Sequence, residues 1–134
     1  MDLLDRLKSK DREDKHKAWL EVEELVRSGR VDLLLDLLCF EDHGTRYRAW
    51  NLLSECMGKV SAEQVKEREK CLLELLMDSD LNVRRLVWYS TLPQVYNLLD
   101  KESVRKLRKY CEEAKGEEWV ELLEETCNEL DAKA

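Results

Sequence analysis

All four tryptophans of the chain end a copy of one nine-residue pattern. The fullest copy is Asp80-Leu-Asn-Val-Arg-Arg-Leu-Val-Trp88. In Asp42-His-Gly-Thr-Arg-Tyr-Arg-Ala-Trp50, Asp42 falls on Asp80, Arg46 on Arg84 and Ala49 on Val87. An earlier copy, Asp11 to Trp19, has Lys15 and Ala18 in the same places, and a weaker one ends at Trp119 with Lys115 in the cation position. The tryptophans at 19, 50, 88 and 119 are thus spaced by 31, 38 and 31 residues. A chain that returns to one amphipathic pattern at such intervals folds as stacked helical units, each too small to bury its apolar face alone.

Composition agrees with helices and narrows the rest. One proline and four glycines leave few turn residues for a sheet. With 134 residues, 43% of them hydrophobic, the chain makes one ordered domain with a sizeable core, spanning residues 1–134. No apolar run approaches the roughly 20 residues that span a bilayer. The start, Met-Asp-Leu-Leu-Asp, has neither the basic residues nor the small-residue cleavage site of a secretory signal, so a cytoplasmic location is expected. A net charge of −7 opposes a polyanionic partner overall, which makes nucleic acid an unfavoured ligand. Four asparagines and two glutamines beside abundant Glu, Lys and Arg give a thermophile-like bias.

The apolar stripes place the units at about 2–29, 31–59, 61–99 and 101–132. Leu3, Leu4 and Leu7 mark a short first helix. Ala18, Trp19, Val22, Leu25 and Val26 form the face of its partner, which Ser28-Gly29 closes. Val31 to Leu38 makes the next helix, apolar enough to lie between neighbours. After a turn at Asp42 to Gly44, a helix runs through Ala49, Trp50, Leu53 and Cys56 to Gly58. Ser61-Ala-Glu-Gln64 reads as a capping box opening one continuous helix to about Met77. The seven extra residues of the 38-residue interval are two helical turns, so that helix lengthens while its stripe keeps phase. Asp80 caps the next helix, Pro93 kinks or ends it, and helices opening at Asp100 and carrying Trp119 complete the fourth unit. Short junctions make successive helices antiparallel.

With its turn aspartate, Val83-Arg84 pair and small residue three positions on, the pattern resembles the HEAT-repeat family of alpha-solenoids. Asp42, Arg46 and Ala49 repeat the signature; Asp11, Lys15 and Ala18 give a looser version. The resemblance covers about residues 2–99. It implies an all-α superhelix of about four stacked antiparallel helix pairs, and a role as a binding surface more often than as a catalyst.

Two columns are the candidate functional features. In the first, the resemblance implies a ladder in which Arg46 and Arg84 pair with Asp42 and Asp80 of their own or the adjacent unit. That leaves Lys17, Arg48 and Arg85 as a basic stripe for an acidic or phosphorylated partner. The second column, Trp50 and Trp88 included, either packs between helices or grips a partner's apolar side chains. Of five cysteines without a Cys-x-x-Cys spacing most, Cys56 and Cys71 among them, sit among leucines and read as buried thiols, the alternative being a metal site or a redox pair. Cys39 and His43 stand four apart with no further ligands near, so no metal is expected. His16 and His43 belong to no nucleophile motif, no Gly-rich phosphate loop is present, and no cofactor is implied. The expectation is a non-catalytic protein-interaction scaffold that binds on the face of the second helices. The alternative is a nucleic-acid-binding protein resembling the HEAT-like alkylpurine DNA glycosylases, which the acidic charge disfavours.

Overall fold

The computed structural model describes residues 2–76 and 78–92 and the single residues 102, 105 and 128; the side chains of Met57, Leu81, Trp88 and Tyr89 fall outside that set. Pro93, the helices expected from Asp100 and around Trp119, the fourth unit, and Cys111 and Cys127 lie outside the described residues. Every element described is helical, with no strand among them. No helix of the described residues is long and apolar enough to cross a membrane.

The elements are α1 (Leu3–Arg6), α2 (Arg12–Arg27), α3 (Val31–Leu37), α4 (His43–Leu52), α5 (Ala62–Glu67), α6 (Glu69–Leu76) and α7 (Leu81–Leu86). Aspartates open α1, α2, α4 and α7: the side chains of Asp2, Asp11, Asp42 and Asp80 each accept a first-turn amide. Asp42 lies just before α4, so Gly44 belongs to the first helical turn and not to the expected turn. Gly29, at φ 120°, ends α2 in the left-handed region where only glycine is at ease. The capping box is formed in full: the Ser61 hydroxyl accepts from the Gln64 amide, and the Gln64 side chain accepts from the Ser61 amide.

Two helices expected to be continuous are broken, each by a side chain that enters the backbone ladder. After α4 the chain tightens into a 3-10 segment, Leu53–Lys59, with Cys56 non-helical at φ −117°, ψ 16°. There the Ser54 hydroxyl donates to the Asn51 carbonyl, competing with the helical bonds. Between α5 and α6, the Arg68 guanidinium takes the Gln64 carbonyl at 2.8 Å, and the Arg68 amide shifts to Val65 instead. The same guanidinium donates at 3.0 Å to the Leu35 carbonyl, tying the break to α3. Beyond α7 a π turn covers Val87–Thr91, just ahead of Pro93.

Contacts between elements set the helices in two rows. Lys15 near the start of α2 reaches Asp42 at the start of α4, and Arg27 at the end of α2 reaches Glu55 just past the end of α4. Those two helices therefore run the same way. Likewise, His43 at the start of α4 bonds Asp78 ahead of α7, while Asn51 at its end receives the Thr91 hydroxyl. α2, α4 and α7 thus form one parallel row. In the other row, Leu35 and Cys39 of the α3 region meet Arg68 and Cys71 of the α6 region in the same order, so α3 and α6 are parallel too. Leu34, Leu37, Leu38, Leu53, Leu72 and Leu75 fill the space between the rows, each fully buried. Burial of this kind stabilises by about 1.5–3 kcal/mol per side chain before entropy is counted.

The cysteines correct the sequence reading. Cys71 is not a free thiol: it forms a disulfide with Cys39, across 32 residues of chain. Cys39 sits one turn past α3 and Cys71 in the first turn of α6, positions made adjacent only because the two helices stack. That adjacency has no trace in the spacing of the cysteines. Cys56 is free and buried.

Candidate functional site

Along α2, Arg12, Lys15, His16, Trp19, Glu23 and Arg27 recur at helical spacing and so share one face. Along α4, Thr45, Arg48 and Asn51 do the same. Because the two helices are parallel neighbours, these faces enclose a groove. It comprises two adjoining hollows, of about 460 Å3 and about 250 Å3, which share His16 and Arg48.

The wider hollow is electrostatically settled. Glu23 accepts from the Trp19 indole at 2.6 Å and from Arg27 at 3.1 Å. Arg27 also spans to Glu55 through two nitrogens, at 3.0 and 3.3 Å. The hydrogen bond from Arg27 holds the exposed Glu55 carboxyl below its usual range, and the reciprocal bond raises Arg27. Tyr47 and Asn51 add polar edges, their side chains 3.3 Å apart.

The narrower hollow is basic. It is lined by Arg12, Lys15, His16, Gly44, Thr45 and Arg48. Lys15 is committed: its ammonium lies 2.8 Å from Asp42, which also accepts the Thr45 amide at 3.0 Å and the Thr45 hydroxyl at 2.8 Å. Burial works against the Asp42 carboxylate, but the Lys15 and Thr45 hydrogen bonds and the Lys15 charge outweigh it, and its pKa falls below the usual value. Among the described residues, Arg12, His16 and Arg48 make no ion pair or hydrogen bond with any side chain. Most other cations of the second-helix row are paired, so two unpaired arginines meeting beside an imidazole in one hollow stand out.

At Arg46 the expected ladder is displaced. Arg46 meets neither Asp42 nor Asp80; its guanidinium lies 6% exposed, donating to the Phe40 carbonyl at 2.7 Å and to Glu74 at 2.7 Å, with a longer contact to the Cys71 carbonyl. Asp42 is matched by Lys15 near the start of α2, so this contact joins α2 to α4. Asp80 accepts the Asn82 and Val83 amides, and Arg84 is half-buried. The reason is geometric: the first turn of α4 points its fourth residue inward toward α6, where a long cation finds carbonyls and Glu74.

Of the proposed partner contacts, the structure keeps one in the groove. Arg48 is exposed and lines both hollows. Lys17 is exposed on α2 but lies outside the hollows, 3.6 Å from Glu13 one turn earlier. Arg85 is half-buried, with its Nε buried and without a hydrogen-bond partner. Trp50 is a correction: it is 0% exposed, and its indole donates at 2.8 Å to the Leu38 carbonyl, an orphan acceptor at the end of α3. It offers no surface to a partner. Trp19 is buried as well, while the side chain of Trp88 and the whole of Trp119 lie outside the described residues. The sequence reading gives Arg12 no role and considers His16 only as a nucleophile partner; the signal that joins them is the three- and four-residue spacing with Lys15 and Trp19.

Among the described residues, no group of three or more His, Cys, Asp or Glu side chains is placed to hold a metal ion. Cys39 is in the disulfide and His43 is on Asp78, so that pair does not converge on a common point. Comparison with known families, curated proteins and solved structures finds no match to this chain.

Proposed function

We propose that this chain is a HEAT-like stack of about four helix pairs and acts as a non-catalytic interaction scaffold. The row of second helices is the binding face, and the α2–α4 groove holds an extended segment of a protein partner, acidic or phosphorylated. Two rows of parallel helices and the short caps between them support the repeat reading. The groove itself carries the functional one: it is about as long as α2, has polar edges, and leaves Arg12, His16 and Arg48 unpaired at one end of a protein of net charge −7. No pair of groups within it is arranged as nucleophile and base, which favours binding over catalysis.

Location follows from the same reasoning. A structural disulfide persists in a cytoplasm mainly in hyperthermophiles, and the scarcity of Asn and Gln points the same way. A cytoplasmic location therefore goes with a thermophilic source.

The test is a binding assay with labelled acidic and neutral peptide pools at two salt concentrations. Acidic peptides should be retained over neutral ones, weaken with salt, and be lost on reversing charge at Arg48. Retention that ignores charge, salt and the variant would place the binding face elsewhere.

A further inference from the structure

Building on the groove reading, we infer that the hollow between Arg12, His16 and Arg48 is a receptor for a single phosphate group, carried on a phosphorylated side chain of the partner. The argument begins with what is unmatched. Lys15 in this hollow is neutralised by Asp42, so the uncompensated charge is that of two guanidinium groups, with an imidazole between them. A phosphomonoester carries about −1.5 to −2 at neutral pH, whereas a carboxylate carries one negative charge and engages one guanidinium fork fully. Two arginines approaching from two helices match the tetrahedral group better than the planar one. A volume of about 250 Å3 admits a phosphate and the side chain bearing it.

Gly44 and Thr45 in the first turn of α4 also line the hollow, but the Thr45 amide and hydroxyl are both taken by Asp42, so an anion is left to the two arginines.

What lies next along the groove separates a phosphopeptide from a nucleic acid. A strand of nucleic acid places phosphates in succession and needs cations in succession. Here the adjoining hollow presents Glu23 and Glu55, both already bonded to Arg27, so the positive potential ends with Arg48. One dianion followed by an uncharged stretch fits; a polyanion does not.

The experiment uses the full chain and three fluorescent probes: a degenerate phosphoserine/phosphothreonine peptide pool, the same pool unphosphorylated, and a single-stranded oligonucleotide. The phosphorylated pool should be retained at least about tenfold better than its counterpart, and Arg12→Ala with Arg48→Ala should remove that advantage. Lys70→Ala, an exposed cation on α6, should leave it intact. Circular dichroism of each variant establishes that the fold survives. Equal retention of the two peptide pools overturns the phosphate receptor while leaving the groove as a peptide site. Retention of neither pool overturns both readings. Tighter retention of the oligonucleotide, equally reduced by Lys70→Ala, overturns both in favour of a diffuse nucleic-acid surface.

Discussion

Replacing Arg46 by methionine tests the contact that displaced the expected ladder. The substitution keeps most of the buried stem and removes only the guanidinium. What it strands is the Phe40 carbonyl, which receives the Arg46 Nε at 2.7 Å in a buried position. An unsatisfied buried acceptor costs about 1–3 kcal/mol. The other partner, Glu74, is 56% exposed and returns to water, so losing that pair costs no more than about 1 kcal/mol. The Cys71 carbonyl, at 3.4 Å, contributes little. Arg46→Met should therefore destabilise by about 1–4 kcal/mol, whereas Glu74→Gln should cost under about 1 kcal/mol. For a domain of this size each kcal/mol shifts the melting temperature by roughly 3–5 °C. Urea denaturation followed by tryptophan fluorescence measures both, since Trp19 and Trp50 are buried in the native state. If Glu74→Gln costs as much as Arg46→Met, the ion pair and not the carbonyl holds the helices, and the reasoning fails. If neither variant changes stability, Arg46 is not buried against α6 at all.

Three further outcomes are expected. Reducing the Cys39–Cys71 disulfide should lower the unfolding free energy by about 3–4 kcal/mol from loop closure over a separation of 32 residues, and Cys39→Ser without reductant should match it; unchanged urea midpoints would place the two sulfurs apart. Burial pushes the Cys56 thiol up, so Cys56 should alkylate slowly in the native protein and quickly in denaturant, as followed by peptide mass spectrometry; fast native labelling would mean the 3-10 segment is exposed. Asp42, whose folded pKa lies below its ordinary 3.8, stabilises the fold above that pH and loses its contribution as pH falls through the folded value. The stability gap between wild type and Asp42→Asn should therefore close at acid pH, and a gap that widens there would refute the Lys15 pairing.

How much of this was legible in the sequence depended on range. Helix starts were readable because an aspartate or a Ser-x-x-Gln cap acts within three residues: Ser61 and Asp80 cap where expected, while Asp42 caps a helix that begins inside the expected turn. The two breaks were not readable, because each depends on a side chain choosing a carbonyl over water. Arg68 does so only because Leu35 stands beside it. The disulfide was hidden for the same reason: it requires α3 and α6 to be neighbours in register. The candidate site was half legible. Arg48 belongs to the basic stripe expected from the sequence; Arg12 and His16 lie on α2 where only the facing wall of α4 gives them meaning. The tryptophan column signalled architecture, and for Trp50 the indole's use of the Leu38 carbonyl shows why a large amphipathic ring recurs there.

The two rows of helices are held by different chemistry, and that difference bears on function. The first-helix row is joined by a covalent bridge and by the Arg68 guanidinium bonded to the Leu35 carbonyl, contacts that added salt scarcely weakens. The second-helix row is joined at its surface by Lys15–Asp42 and Arg27–Glu55, exposed or half-exposed pairs worth little individually and screened by salt. The α3–α6 row is thus held firmly, while the surface of the α2–α4 pair rests on the weaker contacts. A ligand that engages Arg12 on one helix and Arg48 on the other would bridge them directly, adding to the two weak pairs a link that neither helix supplies alone. Binding should therefore stiffen the α2–α4 spacing more than it changes the α3–α6 row. Amide exchange should then slow along α4 on binding while α6 stays unchanged; equal protection of both rows would mean that the ligand acts on the whole stack and not across this groove.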